Sequence, residues 1–178
     1  MAGESGISRV VRNLIAFYLR LALGVDFLSA VADRFGLWGP PGSDHVAWGN
    51  FSKFVAYTAQ VDPFTPAGTA VAVAWVVTAL ELLFAALLIL GLFTRTTAVL
   101  SGILLALFAV GMSIGTGAKS AFDASVFAAS AGAFALAALG PTAWSLDSKL
   151  KKKWAAPPPS PAPASAGASG EGKPVSGS

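Results

Sequence analysis

Arg20 and Glu81 are the residues whose setting first suggests chemistry, because each interrupts a long apolar run. A charge placed in hydrocarbon is costly and is retained where it pairs, relays protons or lines a ligand path. Counting from the ends of their runs at ~1.5 Å per residue puts each ~15 Å inward, on neighbouring antiparallel segments. Equal depth and opposite sign predict an Arg20–Glu81 ion pair. It either fixes helix packing or forms part of a proton or quinone site. The face around Glu81 carries Ala74, Thr78 and Ala85, small enough to admit another helix closely.

A second group is expected at the other end of the bundle. Asp26 and Asp33 are seven residues apart and share a helical face, with Asp26 ~9 Å inside the boundary. Asp123 is expected at similar height, near the start of the last apolar run. With Arg34, Lys53, Lys119, His45, Trp38 and Trp48, these carboxylates are expected to converge on the outer side. Several carboxylates beside one cation have the composition of a proton relay. The plainer reading makes Asp33, Asp44 and Asp62 caps and turn residues, and His45 a loop histidine beside Asp44. The catalytic candidates are thus Glu81, Asp26 and Arg20. The candidates for holding a cofactor are Glu81, Asp26, Asp123, Trp38 and Trp48.

Other chemistries are excluded by composition. The chain has no cysteine, which removes thiol redox chemistry, iron–sulfur clusters and thioether-linked haem. One histidine argues against a histidine-built metal site, so no metal is expected. No phosphate-binding glycine loop, dinucleotide fingerprint or zinc motif is present.

The elements that must position these residues are membrane helices. Of 178 residues, 54% are hydrophobic and only 12% charged, with a mean hydropathy of +0.67. That charge is about half of what a soluble domain carries. Apolar runs extend over about 10–32, 67–92, 96–113 and 121–139, each near the ~20 residues needed to cross ~30 Å of hydrocarbon. The expected fold is all-α, a bundle of four transmembrane helices over residues 9–147. Residues 1–8 are expected to be a flexible N-terminus. The N-terminal run also ends in Ala30-Val31-Ala32, which resembles a signal-peptidase site, but Arg20 and Asp26 break any clean apolar core for such a signal. The run is expected to remain as a membrane helix.

Between the first two runs lie 33 or so residues, too many for a structureless loop in a small domain. Asn50 can cap a short helix whose Phe51, Phe54, Val55 and Thr58 recur at helical spacing, ended by Asp62-Pro63. With Trp38, Trp48, Tyr57 and Phe64 nearby, this predicts an aromatic-rich helix at the outer interface. Residues 148–178 are expected to form a polybasic and then Pro/Ala/Ser-rich disordered tail. Lys149 to Lys153 suit a stop-transfer anchor, or an anionic lipid surface.

Arg9, Arg12, Arg95, Lys149, Lys151, Lys152 and Lys153 fall on one side, against Arg34, Lys53 and Lys119 on the other. Seven against three predicts that both termini are cytoplasmic, in a multi-pass protein of the bacterial inner (plasma) membrane. Residues 149–178 hold five lysines against one glutamate, so the positive charge belongs to the tail and nucleic acid is not an expected partner.

The string Arg20-Leu21-Ala22-Leu23-Gly24-Val25-Asp26-Phe27-Leu28, followed by Asp33-Arg34-Phe35-Gly36, resembles the first helix and exit loop of the DoxX family. Glu81 through Gly91-Leu92-Phe93-Thr94-Arg95 is similar to that family's second-helix signature, a glutamate followed by a Gly-Leu-x-Thr-Arg turn. Trp48-Gly49-Asn50-Phe51 through Val61-Asp62-Pro63-Phe64 resembles a loop of one branch. The resemblance implies a four-helix bundle of the DoxX and DoxD kind, with Arg20, Glu81 and Arg95 at recurring positions. It also implies kinship with the membrane subunit of an archaeal thiosulfate:quinone oxidoreductase and with a mycobacterial oxidoreductase complex that has soluble partners. The expected function is a membrane subunit of a quinone-linked oxidoreductase working with a partner protein. The alternative is a non-catalytic scaffold or accessory subunit of a respiratory or other energy-converting complex. No covalent cofactor is expected; a quinone is the cofactor implied. The expected partners are the lipid bilayer, other membrane or outer-face redox subunits, and a second copy packed through small residues such as Gly132 and Ala133.

Overall fold

Long apolar runs leave little polar surface to meet water, so the backbone there must satisfy itself within helices. The computed structural model describes residues 6–62, 66, 68–142 and 144–154, and these are helical with no strand among them. The helices are α1 (Gly6–Arg34), α2 (Phe51–Val61), α3 (Ala70–Leu90), α4 (Thr94–Met112), α5 (Ala118–Asp123), α6 (Val126–Leu139) and α7 (Leu146–Trp154). A π-helical turn, Ser113–Gly117, joins α4 to α5, with a break in helical geometry at Gly117, whose φ is +94°. Three rods are long and apolar enough to cross a membrane: residues 7–34, 70–90 and 94–123. The apolar α6 is shorter, at 14 residues.

The register between α1 and α3 is fixed by a chain of close contacts. Gly24 lies against Ala85 and Ile89, Phe27 meets Phe84 with ring centroids 6.4 Å apart, and Arg34 reaches Thr78. Arg20 therefore comes level with Leu88 to Gly91, at the end of α3. On the far side of the bundle α4 and α6 pack through small residues. The Phe134 ring covers Gly102, where a methyl group would sit 2.9 Å from it, and Ser130 Oγ donates to Gly102 O at 2.9 Å. Leu23, Phe27, Phe84, Leu88, Leu104, Ala133 and Leu136 fill the space between the two pairs.

Four expectations change. Helix α1 begins at Gly6, so the expected flexible N-terminus is already helical there. The third rod continues to Asp123, and the fourth apolar helix begins only at Val126 after a turn at Ala124–Ser125. Asp123 thus ends the third rod instead of opening the fourth. Residues 148–154, expected within a disordered tail, belong to α7, which begins at Leu146; the tail beyond residue 154 lies outside the described residues, as do Pro63 and Phe64. Helix α7 persists because its first-turn Asp147 is anchored to a distant turn, as described next.

Candidate functional site

Helix α2 begins after Asn50, whose Oδ1 accepts a hydrogen bond from Lys53 N at 2.8 Å. It buries Phe54 and Thr58 against the bundle and runs its last carbonyls onto glycines of the third rod. A methyl group on Gly111 would lie 2.5 Å from Val61 O, and Gly115 is equally closed by Gln60 O. Tyr57 faces the same turn: burial pushes its phenol up, and a hydrogen bond with Thr116 draws it back down. Helix α2 is in this way held down over the end of α1.

Beneath α2 lies a buried polar cluster. Arg34 Nη2 donates to Glu81 Oε1 at 2.9 Å, and Arg34 Nη1 lies 2.5 Å from Oε2. The same Nη1 donates to Thr78 Oγ1 at 2.8 Å, and Thr78 passes its own proton to Ala74 O at 2.7 Å. The guanidinium carbon sits 3.7 Å above the centroid of Phe54 and 5.5 Å from that of Trp48. Both members of the pair are 2% exposed. An arginine so placed combines a charged partner, a hydroxyl and two ring faces, which replace much of its lost hydration, while its buried Nε has no hydrogen-bond partner among the described residues.

The Arg20–Glu81 pair predicted from depth does not form. Arg20 is equally buried, but Nε donates to Leu88 O at 2.9 Å, Nη2 to Ile89 O at 3.0 Å and Nη1 to Trp144 O at 3.3 Å. It closes the carbonyl end of α3, where a cation also complements the helix dipole. Leu88 is seven residues beyond Glu81, or ~10 Å along the helix. The error came from assuming that both runs end at the membrane boundary, whereas α1 extends well past the end of α3. Arg95 plays a similar part, its Nε donating to Ala137 O at 3.1 Å near the end of α6.

Two functional positions carry no local signal in the sequence. Arg34 reads as a boundary cation, and only the aromatic run around Trp48 and Phe54 hints at something to cover. Asp147 falls at the last residue of the expected membrane domain, with no motif around it. Its Oδ1 accepts from Phe93 N and its Oδ2 from Thr94 N, both at 2.8 Å, while Asp147 N donates to Gly91 O at 3.0 Å. Phe93 has φ +48°, a left-handed conformation that bulky residues rarely adopt, and Asp147 holds it there.

The carboxylates expected to converge do so only in part. Asp26, Ser29, Asp33, Trp38, His45 and Trp48 line an open cleft of about 460 Å³ between α1 and the connection to α2. Trp38 Nε1 donates to Ser29 O at 3.1 Å and Trp48 N to Asp33 Oδ2 at 2.8 Å, which staples the connection to the helix. Asp33 Oδ1 is buried in that wall with no hydrogen-bond partner among the described residues. His45 is held at φ +66°. Asp123 is elsewhere: it is exposed on α5 and paired with Lys119 at 2.5 Å, one turn away. Among the described residues no group of three or more His, Asp or Glu side chains is placed to hold a metal ion.

Long apolar rods, a sealed arginine–glutamate pair and an open polar cleft beside it define a multi-pass helical membrane protein. The DoxX family model matches residues 15–116, and the chain belongs to the DoxX family. No match emerged among curated proteins or among solved structures.

Proposed function

We propose that the protein is the membrane subunit of a quinone-linked oxidoreductase, working with a redox partner at its outer face. The observation that carries this reading is the cleft beside α1, whose lining includes Asp26, His45, Trp38 and Trp48. Its size falls in the ordinary range for small-molecule sites, and it pairs ring faces with few polar groups. A quinone bound there would supply two-electron, two-proton acceptance. Asp26 and His45 would hold and pass protons at Oδ and at a ring nitrogen, while the tryptophans exclude water and orient a flat headgroup. Glu81 is sealed under α2 and serves to position Arg34 and the α1 terminus.

The same reading places four crossings in the inner membrane of a bacterium, with α6 as the fourth and both termini cytoplasmic. The packing of α6 along α4 and the seven-to-three cation bias support it. A helix of 14 residues spans ~21 Å, so local thinning of the bilayer belongs to this arrangement.

The test is photolabelling of the full chain in proteoliposomes with a short-chain azidoquinone. Label should map to peptides holding Asp26, Trp38, His45 or Trp48, be displaced by excess decylubiquinone, and fall in Asp26→Asn and His45→Gln proteins of unchanged melting temperature. Label that ignores both substitutions overturns the reading. The scaffold alternative is favoured by one observation, the filled bundle around Glu81. It expects a partner complex that assembles and turns over normally with both cleft residues replaced.

A further inference from the structure

A second cleft, of about 440 Å³, opens at the opposite end of the bundle, between the start of α1 and the segment joining α6 to α7. It exists because α1 continues beyond the end of α3. The step so created is filled from one side by Pro141, Thr142 and Trp144, where Trp144 meets the Phe17 ring edge-on at 5.7 Å. What remains open is lined by Arg9, Arg12, Asn13, Pro141, Thr142 and Ser148. Arg9, Arg12 and Asn13 follow i, i+3, i+4 spacing and so present two guanidiniums and an amide on one helical face. Thr142 is buried, and its Oγ1 has no hydrogen-bond partner among the described residues. Beside this face, Val10, Val11, Leu14 and Ile15 stand about half exposed.

The geometry points to a site for the phosphodiester of an anionic phospholipid. The two guanidiniums match phosphate oxygens in charge and planar donor geometry. The Asn13 amide and the unmatched Thr142 hydroxyl supply further donors. The apolar residues on the adjoining face of α1 give the acyl chains a surface continuous with the headgroup. A free phosphate ion shares the headgroup chemistry but has no use for that flank, and the bilayer supplies lipid at far higher local concentration. The site stands independently of the quinone reading, since it lies at the other end of α1 and shares no residue with that cleft.

The experiment uses the delipidated full chain in detergent, with phosphatidylglycerol retention measured by native mass spectrometry against phosphatidylcholine. The wild-type chain should retain phosphatidylglycerol in preference. The double variant Arg9→Gln, Arg12→Gln should, as long as it folds, lose that preference by about tenfold or more. A control with the same charge change, Lys149→Gln, Lys151→Gln, should keep it. If the arginine variant does not fold, Thr142→Val, which leaves the charge intact, should still weaken retention several-fold. Equal losses in the lysine control, or full retention in both the arginine and threonine variants, overturn the site. Displacement of the lipid by millimolar inorganic phosphate assigns the cleft to free phosphate and overturns the lipid.

Discussion

Arg20 and Arg34 stand on the same helix, fourteen residues apart, and each is 2% exposed. Arg34 meets a carboxylate, a hydroxyl and two aromatic rings; Arg20 meets three backbone carbonyls. The first arrangement cancels a formal charge against another formal charge, so removing either partner strands the survivor. The second spreads a charge over dipoles that exist whatever the side chain is. Two buried arginines on one helix thus carry different risks, and the difference lies in what remains after the arginine is gone.

Substitutions at the Arg34–Glu81 pair should therefore do the most damage. Arg34→Ala or Glu81→Ala is expected to cost about 3–5 kcal/mol, read as thermal unfolding of the detergent-solubilised protein. The double substitution Arg34→Met, Glu81→Leu should return most of it. Single losses that simply add in the double variant would break the contrast between the two ends.

Arg20→Ala should cost less, about 1.5–3 kcal/mol, because the groups that lose a hydrogen bond are neutral carbonyls and the nearby Asp147 carboxylate keeps its two backbone donors. Combined with Glu81→Ala its effect should add within ~0.5 kcal/mol, since the two sites share no partner. A coupling well above that value would restore the Arg20–Glu81 pairing that depth alone suggested. Smaller again is Asp147→Ala, at about 1 kcal/mol, the usual cost of losing a helix cap. A probe on α7 should then become mobile in spin-label spectra while α1 and α3 stay unchanged. The smallest effect is expected at Phe93, which is 70% exposed and left-handed. Phe93→Gly should be neutral or stabilise by up to about 1 kcal/mol.

These sites differ in how far the sequence reveals them. Membrane helices are legible in the apolar runs because hydrocarbon imposes one requirement on every residue. Asn50 and the spacing of Phe51, Phe54 and Thr58 are local signals, and α2 sits on them. Partners of a buried charge are a different matter, because they depend on how far two helices slide past one another. A shift of two turns moved Arg20 from Glu81 to the end of α3 and brought Glu81 to Arg34. The helix ends that determine this shift lie in Gly6 and Leu90, neither of which marks itself in the composition. Asp147 was hidden for the same reason: its two donors lie more than fifty residues earlier in the chain. The convergence expected at the outer cleft was right for Asp26, Asp33 and His45, which neighbour one another along the chain. It failed for Asp123, whose position depends on where the third rod turns.

The reach of Arg20 to Trp144 has a consequence for biosynthesis. When α1 first leaves the ribosome, neither of its buried arginines has a partner: Glu81 is some fifty residues from being made, and Trp144 more than a hundred. At ~5–20 residues per second, the wait for Trp144 lasts many seconds. Until Glu81 and then Leu88 and Ile89 emerge, the nascent helix carries two unpartnered cations, and Arg20 is completed only by Trp144, which suits lodging in the insertion machinery better than release into lipid. The last closing contacts are made by residues 144–147, so nascent chains arrested with fewer residues exposed should remain crosslinkable to the translocon through α1. Chains arrested some thirty residues later, with Asp147 clear of the exit tunnel, should not.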